Sequence, residues 1–357
     1  MMSDLYINET RARLRTLLAA GYALFIAYVS LSPFFGWREQ GLNFMDVLHL
    51  PLMQTFTTFD AVINVLAYIP FGFLAGLALR ARFGVIVSLL VAAACGLALS
   101  GSMEYLQMYL PMRISSNLDI LTNSAGTLTG ALLAVSVASW SWFRQGLMRW
   151  RTGVFHRSRE MDYGLALLVL WIFGQINPSL PMLGNVFITE VARQPFVTPL
   201  PEPFVWWESA VVTLNLLMLG VLLLTVLRSP RRVVSSLLVV LSAVALVKFV
   251  AAAVLLKSWA LLLWINGESM LGILIGIALL STGLWLSRAV VISAGAAIAL
   301  CYFALINFMV DSNNPAAAMS IYHWHYRHLL NYNGLAQTIT LIFPVLLLFH
   351  LWRIRKT

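Results

Sequence analysis

Charge is what this sequence has least of. Only 10% of its 357 residues are Asp, Glu, Lys or Arg, and 60% are hydrophobic; a soluble domain carries about 25% charged residues. A soluble globular enzyme is excluded, and the chain falls among polytopic membrane proteins. Cysteine is nearly absent as well. Cys95 and Cys301 both sit in apolar runs, where they read as small core residues, so neither a disulfide framework nor a cysteine metal site can be built. No phosphate-cradling glycine loop occurs, which argues against a self-contained ATP-driven pump. The formal charge of +9 fits basic cytoplasmic loops better than nucleic acid. No small-residue cleavage site follows the first apolar run, so that run reads as a retained span.

What the chain does have is apolar length. A crossing helix needs about 20 residues, and runs of that order fall at 14–35, 61–80, 84–108, 118–139, 162–179, 206–227, 233–256, 268–287, 289–310 and 335–352. The expected fold class is therefore all-α, a polytopic membrane helical bundle of about ten transmembrane helices. With the N-terminus inside, the outer segments hold only Arg38, Arg113, Arg193, Lys257 and Arg327, and the inner segments hold nearly all the other basic residues. The positive-inside rule then puts both termini in the cytoplasm.

The chain also reads as duplicated. Pro33 and Pro178 close the first and fifth runs, and Gly126-x3-Gly130 recurs as Gly272-x3-Gly276, an offset of 146. Two parallel four-helix units followed by two C-terminal helices are expected. The division is 1–141 for a four-helix unit with a polar cluster and 142–161 for a basic cytoplasmic loop able to touch anionic lipid. Residues 162–288 form a second, degenerate unit, and 289–357 two additional helices and a tail.

Residues 104–130 organise the first unit. Glu104 and Gln107, three apart, share a helix face. Asp119, Asn123, Gly126 and Gly130 form a single stripe on the next helix, and Arg113 lies in the turn between. The stripe is polar above. Below, two glycines four apart admit a close helix neighbour in a membrane. Asn64 begins its own span at the same level, so Asn64, Glu104, Gln107, Arg113, Asp119 and Asn123 are the candidate ligand-binding residues, and Gly126 and Gly130 the packing ones. Asp119 is expected to cap the fourth span or serve as its first-turn acid. Pro70 should kink its helix and open a groove beside Asn64. Lys248, deep in a span, needs a partner, and Glu268 is the nearest acid in sequence. His323, His325 and His328 are interleaved with aromatics and fit an interfacial belt rather than a metal site. The proline-rich loop 180–205 reads as an irregular segment with interfacial Trp206 and Trp207. No cofactor or metal is expected.

These features together resemble the VanZ-like family of bacterial membrane proteins. The resemblance rests on Ser32-Pro33-Phe34, Asp60-x3-Asn64, the run Ile69 to Gly76, Glu104-x2-Gln107, Arg113, and Asp119-x3-Asn123-x2-Gly126-x3-Gly130, and it covers roughly 14–139. It implies a multi-pass protein of the bacterial cytoplasmic (inner) membrane and a link to teicoplanin sensitivity. Three readings stay open. The cluster engages the head of a lipid-linked or amphipathic envelope molecule, it serves an embedded enzyme with Glu104 or Asp119 as acid or base, or it closes a purely structural hairpin in an envelope complex. The residues supply neither a nucleophile nor a metal motif, which makes catalysis the weakest of the three. Membrane lipids are the expected partners; oligomeric state is not legible. Cysteine introduced at 115 or 190 should label from outside, and at 155 or 230 from inside; one reversal breaks the orientation.

Overall fold

The computed structural model describes residues 2–32, 34–49, 58–156, 158–188, 204–308, 315–323 and 327–356. Pro33, His325, Arg193 and the prolines at 195, 199, 201 and 203 lie outside them. The chain divides into two compact units, Met1–Thr152 and Gly153–Thr357.

The first unit holds α1 (Met2–Leu31), α2 (Phe44–Leu48), α3 (Thr58–Arg80), α4 (Val85–Gln107), α5 (Asn117–Ser139) and most of α6 (Ser141–Val154). Short polar side chains start its helices by accepting otherwise unpaired first-turn N–H groups. Asn43 accepts from Met45 N at 3.1 Å and Ser116 from Leu118 N at 3.2 Å. Ser116 is therefore the cap of α5, and Asp119 takes the first-turn acid position. α5 lies between α3 and α4, and glycine makes this possible. A Cβ on Gly126 would strike the Val65 carbonyl, one on Gly130 the Ile69 carbonyl, and one on Gly72 the Thr127 backbone. On the other side Gly96 of α4 receives the Thr127 side chain. Pro70 does not break α3, which runs unbroken through it.

The second unit holds α7 (Arg159–Gln175), α8 (Trp206–Val226), α9 (Val233–Leu255), α10 (Gly267–Gly283), α11 (Arg288–Phe308) and α12 (Arg327–Arg355). α8 is apolar on all sides and runs through the middle, as a fully enclosed helix should; Val212, Leu216, Leu219, Leu222 and Val226 are all completely buried. The other five helices contact it. Here too a glycine pair faces a neighbour: Gly272 meets Ser209 and Val212 of α8, and Gly276 meets Leu216. α11 and α12 pack into this unit against α8, α7 and each other.

Among the described residues eight helices are long and apolar enough to cross a membrane, two fewer than the runs expected. α10 is apolar but spans only 17 residues. α7 also has 17 residues and opens with Arg159, Glu160 and Asp162; the expected run to 179 stops at Gln175 because an Asn177-Pro178 turn ends the helix. The basic segment after α5 is largely helical, and α6 exposes Trp142, Leu147 and Trp150. Cys95 and Cys301 are exposed on helix faces and are not core residues. Their runs are apolar on every side, so hydrophobicity alone could not tell the buried face from the outer one. Phe155 is buried, so Gly153, where a Cβ meets nothing, is the better inner labelling position.

Gly126→Leu should abolish a monodisperse folded peak in size-exclusion of detergent-solubilised protein. Gly101→Leu, whose Cβ has nothing within 4 Å, should keep that peak. Equal recovery of both would contradict the packing of α5 on α3.

Candidate functional site

α4 delivers Ser100, Glu104 and Gln107 to one end of the first unit. The turn after it returns through Arg113 to Ser116, and α5 then starts beside α4. Glu104 closes this hairpin. Its Oε2 accepts from Ser116 N at 2.9 Å, and its carbonyl accepts from the Ser115 hydroxyl at 2.7 Å. The residue is only 3% exposed. Asp119 and Arg113 both lie near enough to act on it electrostatically.

α3 contributes the facing wall. Asn64 Nδ2 donates to Asp119 Oδ1 at 2.8 Å, which fixes the half-buried carboxylate across the α3–α5 contact. Asp60, at the start of α3, lies within electrostatic reach of Asp119. One turn deeper, Asn123 Nδ2 donates to Ser100 Oγ at 2.9 Å, and Asn123 Oδ1 is buried with no protein partner. Reversing the amide would only exchange which of its two atoms is left over. The Tyr68 hydroxyl is likewise buried with no partner in full hydrogen-bond geometry, Ser100 being the side chain that interacts with it. It sits within reach of Glu104 and Asp119. A buried polar group without a partner costs about 1–3 kcal/mol, so two of them next to two carboxylates are a notable concentration.

Gln107 and Arg113 serve a different purpose. Gln107 Nε2 donates to Ser30 O at 3.1 Å, and Arg113 donates to Val29 O at 2.8 Å and Ser32 O at 3.0 Å. Both satisfy orphan carbonyls at the end of α1. Of the six candidate polar residues, then, Asn64, Glu104, Asp119 and Asn123 line the cluster, and Gln107 and Arg113 clamp α1 beside it. Gly126 and Gly130 lie below, against α3. Tyr68, Ser100 and Ser116 escaped the sequence reading; Tyr68 is four residues after Asn64, and that helical spacing was the available signal. His49 is exposed in the segment before α3 and bonds Met45 O. Asn117 Nδ2 ties the preceding Leu48 carbonyl to α5 at 3.2 Å.

In the second unit the expected Lys248–Glu268 pair does not form. Lys248 is 1% exposed and donates to Gln175 O at 3.1 Å and Pro181 O at 3.4 Å, whereas Glu268 accepts from Val205 N. Sequence proximity misled here, because the helix-ending turn after α7 presents carbonyls closer than any acid. A buried network that the sequence reading missed fills the same region. Tyr322 donates to Asn333 Oδ1 at 2.7 Å, Asn177 Nδ2 to the same atom at 2.9 Å, and Ser179 bonds Asn177 at 2.8 Å. Burial pushes the Tyr322 phenol up to about 12, so it stays a donor. No group of three or more metal-ligating residues occurs among the described residues.

Several long apolar helices and a polar cluster sealed at one end of a glycine-packed bundle define a polytopic helical membrane protein. Its first unit is VanZ-like: residues 8–139 match the family model described as VanZ/LLP1. The match ends before the second unit begins. Neither the comparison with curated proteins nor that with solved structures gave a match.

Glu104→Leu should strand the Ser116 N–H and lower stability by about 1–3 kcal/mol. Glu104→Gln keeps an acceptor oxygen and should lose less, as measured by thermal unfolding in detergent. Equal losses would remove Glu104 from its hairpin role.

Proposed function

We propose that this chain is a multi-pass protein of the bacterial cytoplasmic membrane, with both termini inside, whose first unit binds the polar head of a lipid-linked or amphipathic envelope molecule. The carrying observation is the pair of buried, unpaired polar atoms on Tyr68 and Asn123 beside Glu104 and Asp119. A cluster that only closed the hairpin would have no need of them. Glu104 and Arg113 already do that work through Ser116 and the end of α1. Polar groups at membrane depth are costly, and they are retained where they serve a ligand or a pathway. An altered response to teicoplanin would follow if the bound molecule is an intermediate of the envelope. The membrane-enzyme reading gains no support from the cluster, which pairs its carboxylates with amides and backbone rather than with a nucleophile.

The second unit reads as a degenerate copy of the first. In each, a glycine pair on the fourth helix faces the second helix, and a cation from the third helix or its turn holds carbonyls at the end of the first: Arg113 on Val29 and Lys248 on Gln175. The carboxylate cluster belongs to the first copy alone.

Tyr68→Phe is the sharpest test. It removes an unpaired hydroxyl, so folded levels and thermal stability should hold or rise. Lipid co-purified in detergent-free particles and identified by mass spectrometry should fall in Tyr68→Phe and in Asp119→Asn, together with any teicoplanin phenotype. Undiminished lipid and phenotype in both variants would sink the ligand reading. So would losses that merely track folded protein.

A further inference from the structure

The second unit contains a cavity of about 610 Å³, within the range of small-molecule sites. It lies where α7 begins, α8 and α10 end, α11 begins and α12 ends. Its floor is apolar: Met161, Leu227, Ile292 and Ile354 line it, each less than a tenth exposed. Its rim is cationic. The Arg228 guanidinium has no partner among the described residues, and Arg288 makes a single bond, to Ile354 O at 3.2 Å. The one acid in the lining, Glu160, is already faced by Arg353 at 3.9 Å. The site therefore carries two uncompensated positive charges above an apolar base.

His350 supplies an independent sign of something to be bound. It is 3% exposed and lines the cavity. Its Nε2 lies 3.2 Å from Thr225 Oγ1, and that hydroxyl spends its proton on Leu222 O at 2.7 Å. Nε2 must then be the donor, which leaves Nδ1 a buried acceptor with no protein partner. A soluble anion would satisfy the arginines and leave the floor uncovered. The rim also sits where apolar helices end, and Trp285 beside it is 91% exposed, the placement of an interfacial anchor.

We infer that this cavity is a second ligand site, holding the phosphate head group of an anionic phospholipid, with Arg228 and Arg288 on the phosphate, an acyl chain over Met161 and Ile292, and a head-group hydroxyl as donor to His350. It involves no residue of the first unit and stands apart from the head-group reading given there. Its phosphate chemistry is shared with a free phosphorylated solute, and the experiment separates the two. The full chain is placed in phosphatidylcholine nanodiscs with graded phosphatidylglycerol, and retained anionic lipid is counted by native mass spectrometry. Wild type should hold phosphatidylglycerol specifically. Arg228→Gln and Arg288→Gln, on exposed helix ends, should each weaken retention about tenfold, since one charged hydrogen bond is worth roughly that factor. In a Tyr68→Phe background the two arginine variants should lose the same share of phosphatidylglycerol as in wild type, so that failure here and failure in the first unit are told apart. Retention independent of both arginines would overturn the proposal. So would displacement of the lipid by millimolar inorganic phosphate alone, which would make the site one for a soluble anion.

Discussion

Everything in the first unit depends on how near the α5 backbone comes to that of α3. Between apolar helices in a bilayer there is no hydrophobic gain to collect, because lipid tails are as apolar as leucine. Association must come from dispersion at short range and from polar pairs. Gly72, Gly126 and Gly130 remove the Cβ atoms that would hold the two backbones apart. Once they are that close, Asn64 and Asp119 are within hydrogen-bond range, and Thr127 is pinned between α3 and α4. The polar cluster is thus a product of the glycine contact. A looser pair of helices would leave the same residues too far apart to meet.

Polar atoms in the two units then divide into those that hold the chain and those that have no such duty. Arg113, Gln107 and Lys248 all donate to carbonyls where a helix ends, and Glu104 accepts from the backbone at the start of the next one. The Asn177–Ser179–Tyr322–Asn333 network saturates itself. Against that background, the Tyr68 hydroxyl, Asn123 Oδ1 and His350 Nδ1 are among the buried side-chain atoms that lack a hydrogen-bond partner.

The helical, membrane-spanning architecture was legible because apolar run length is a direct physical requirement of the bilayer. The stripe of Asp119, Asn123, Gly126 and Gly130 was legible because helical periodicity places them on one face; that Asp119 would pair with Asn64 and the glycines seat on α3 was not, because periodicity on one helix does not name its neighbour. Nor was the partner of Lys248. Backbone carbonyls freed by a turn have no sequence signature, so the nearest acid looked better than it was. The exposure of Cys95 and Cys301 was hidden for a related reason: on a helix that is apolar all round, periodicity carries no information about which side meets lipid. Tyr68 was overlooked because aromatic residues in a span are ordinarily packing, and only its unpaired hydroxyl sets it apart.

The brevity of α10 affects the surroundings as much as the protein. Seventeen residues rise about 25 Å, and a bilayer's hydrocarbon core is about 30 Å thick. Met270, Leu274 and Leu279 form an exposed apolar face along that short length. Lipid in contact with it has to shorten its chains by disorder, and the bilayer thins locally to meet the helix ends. A bilayer crossed by α10 would have to thin along that side, which would make acyl-chain length in the host membrane a variable that bears on where this protein settles and which neighbours collect around it.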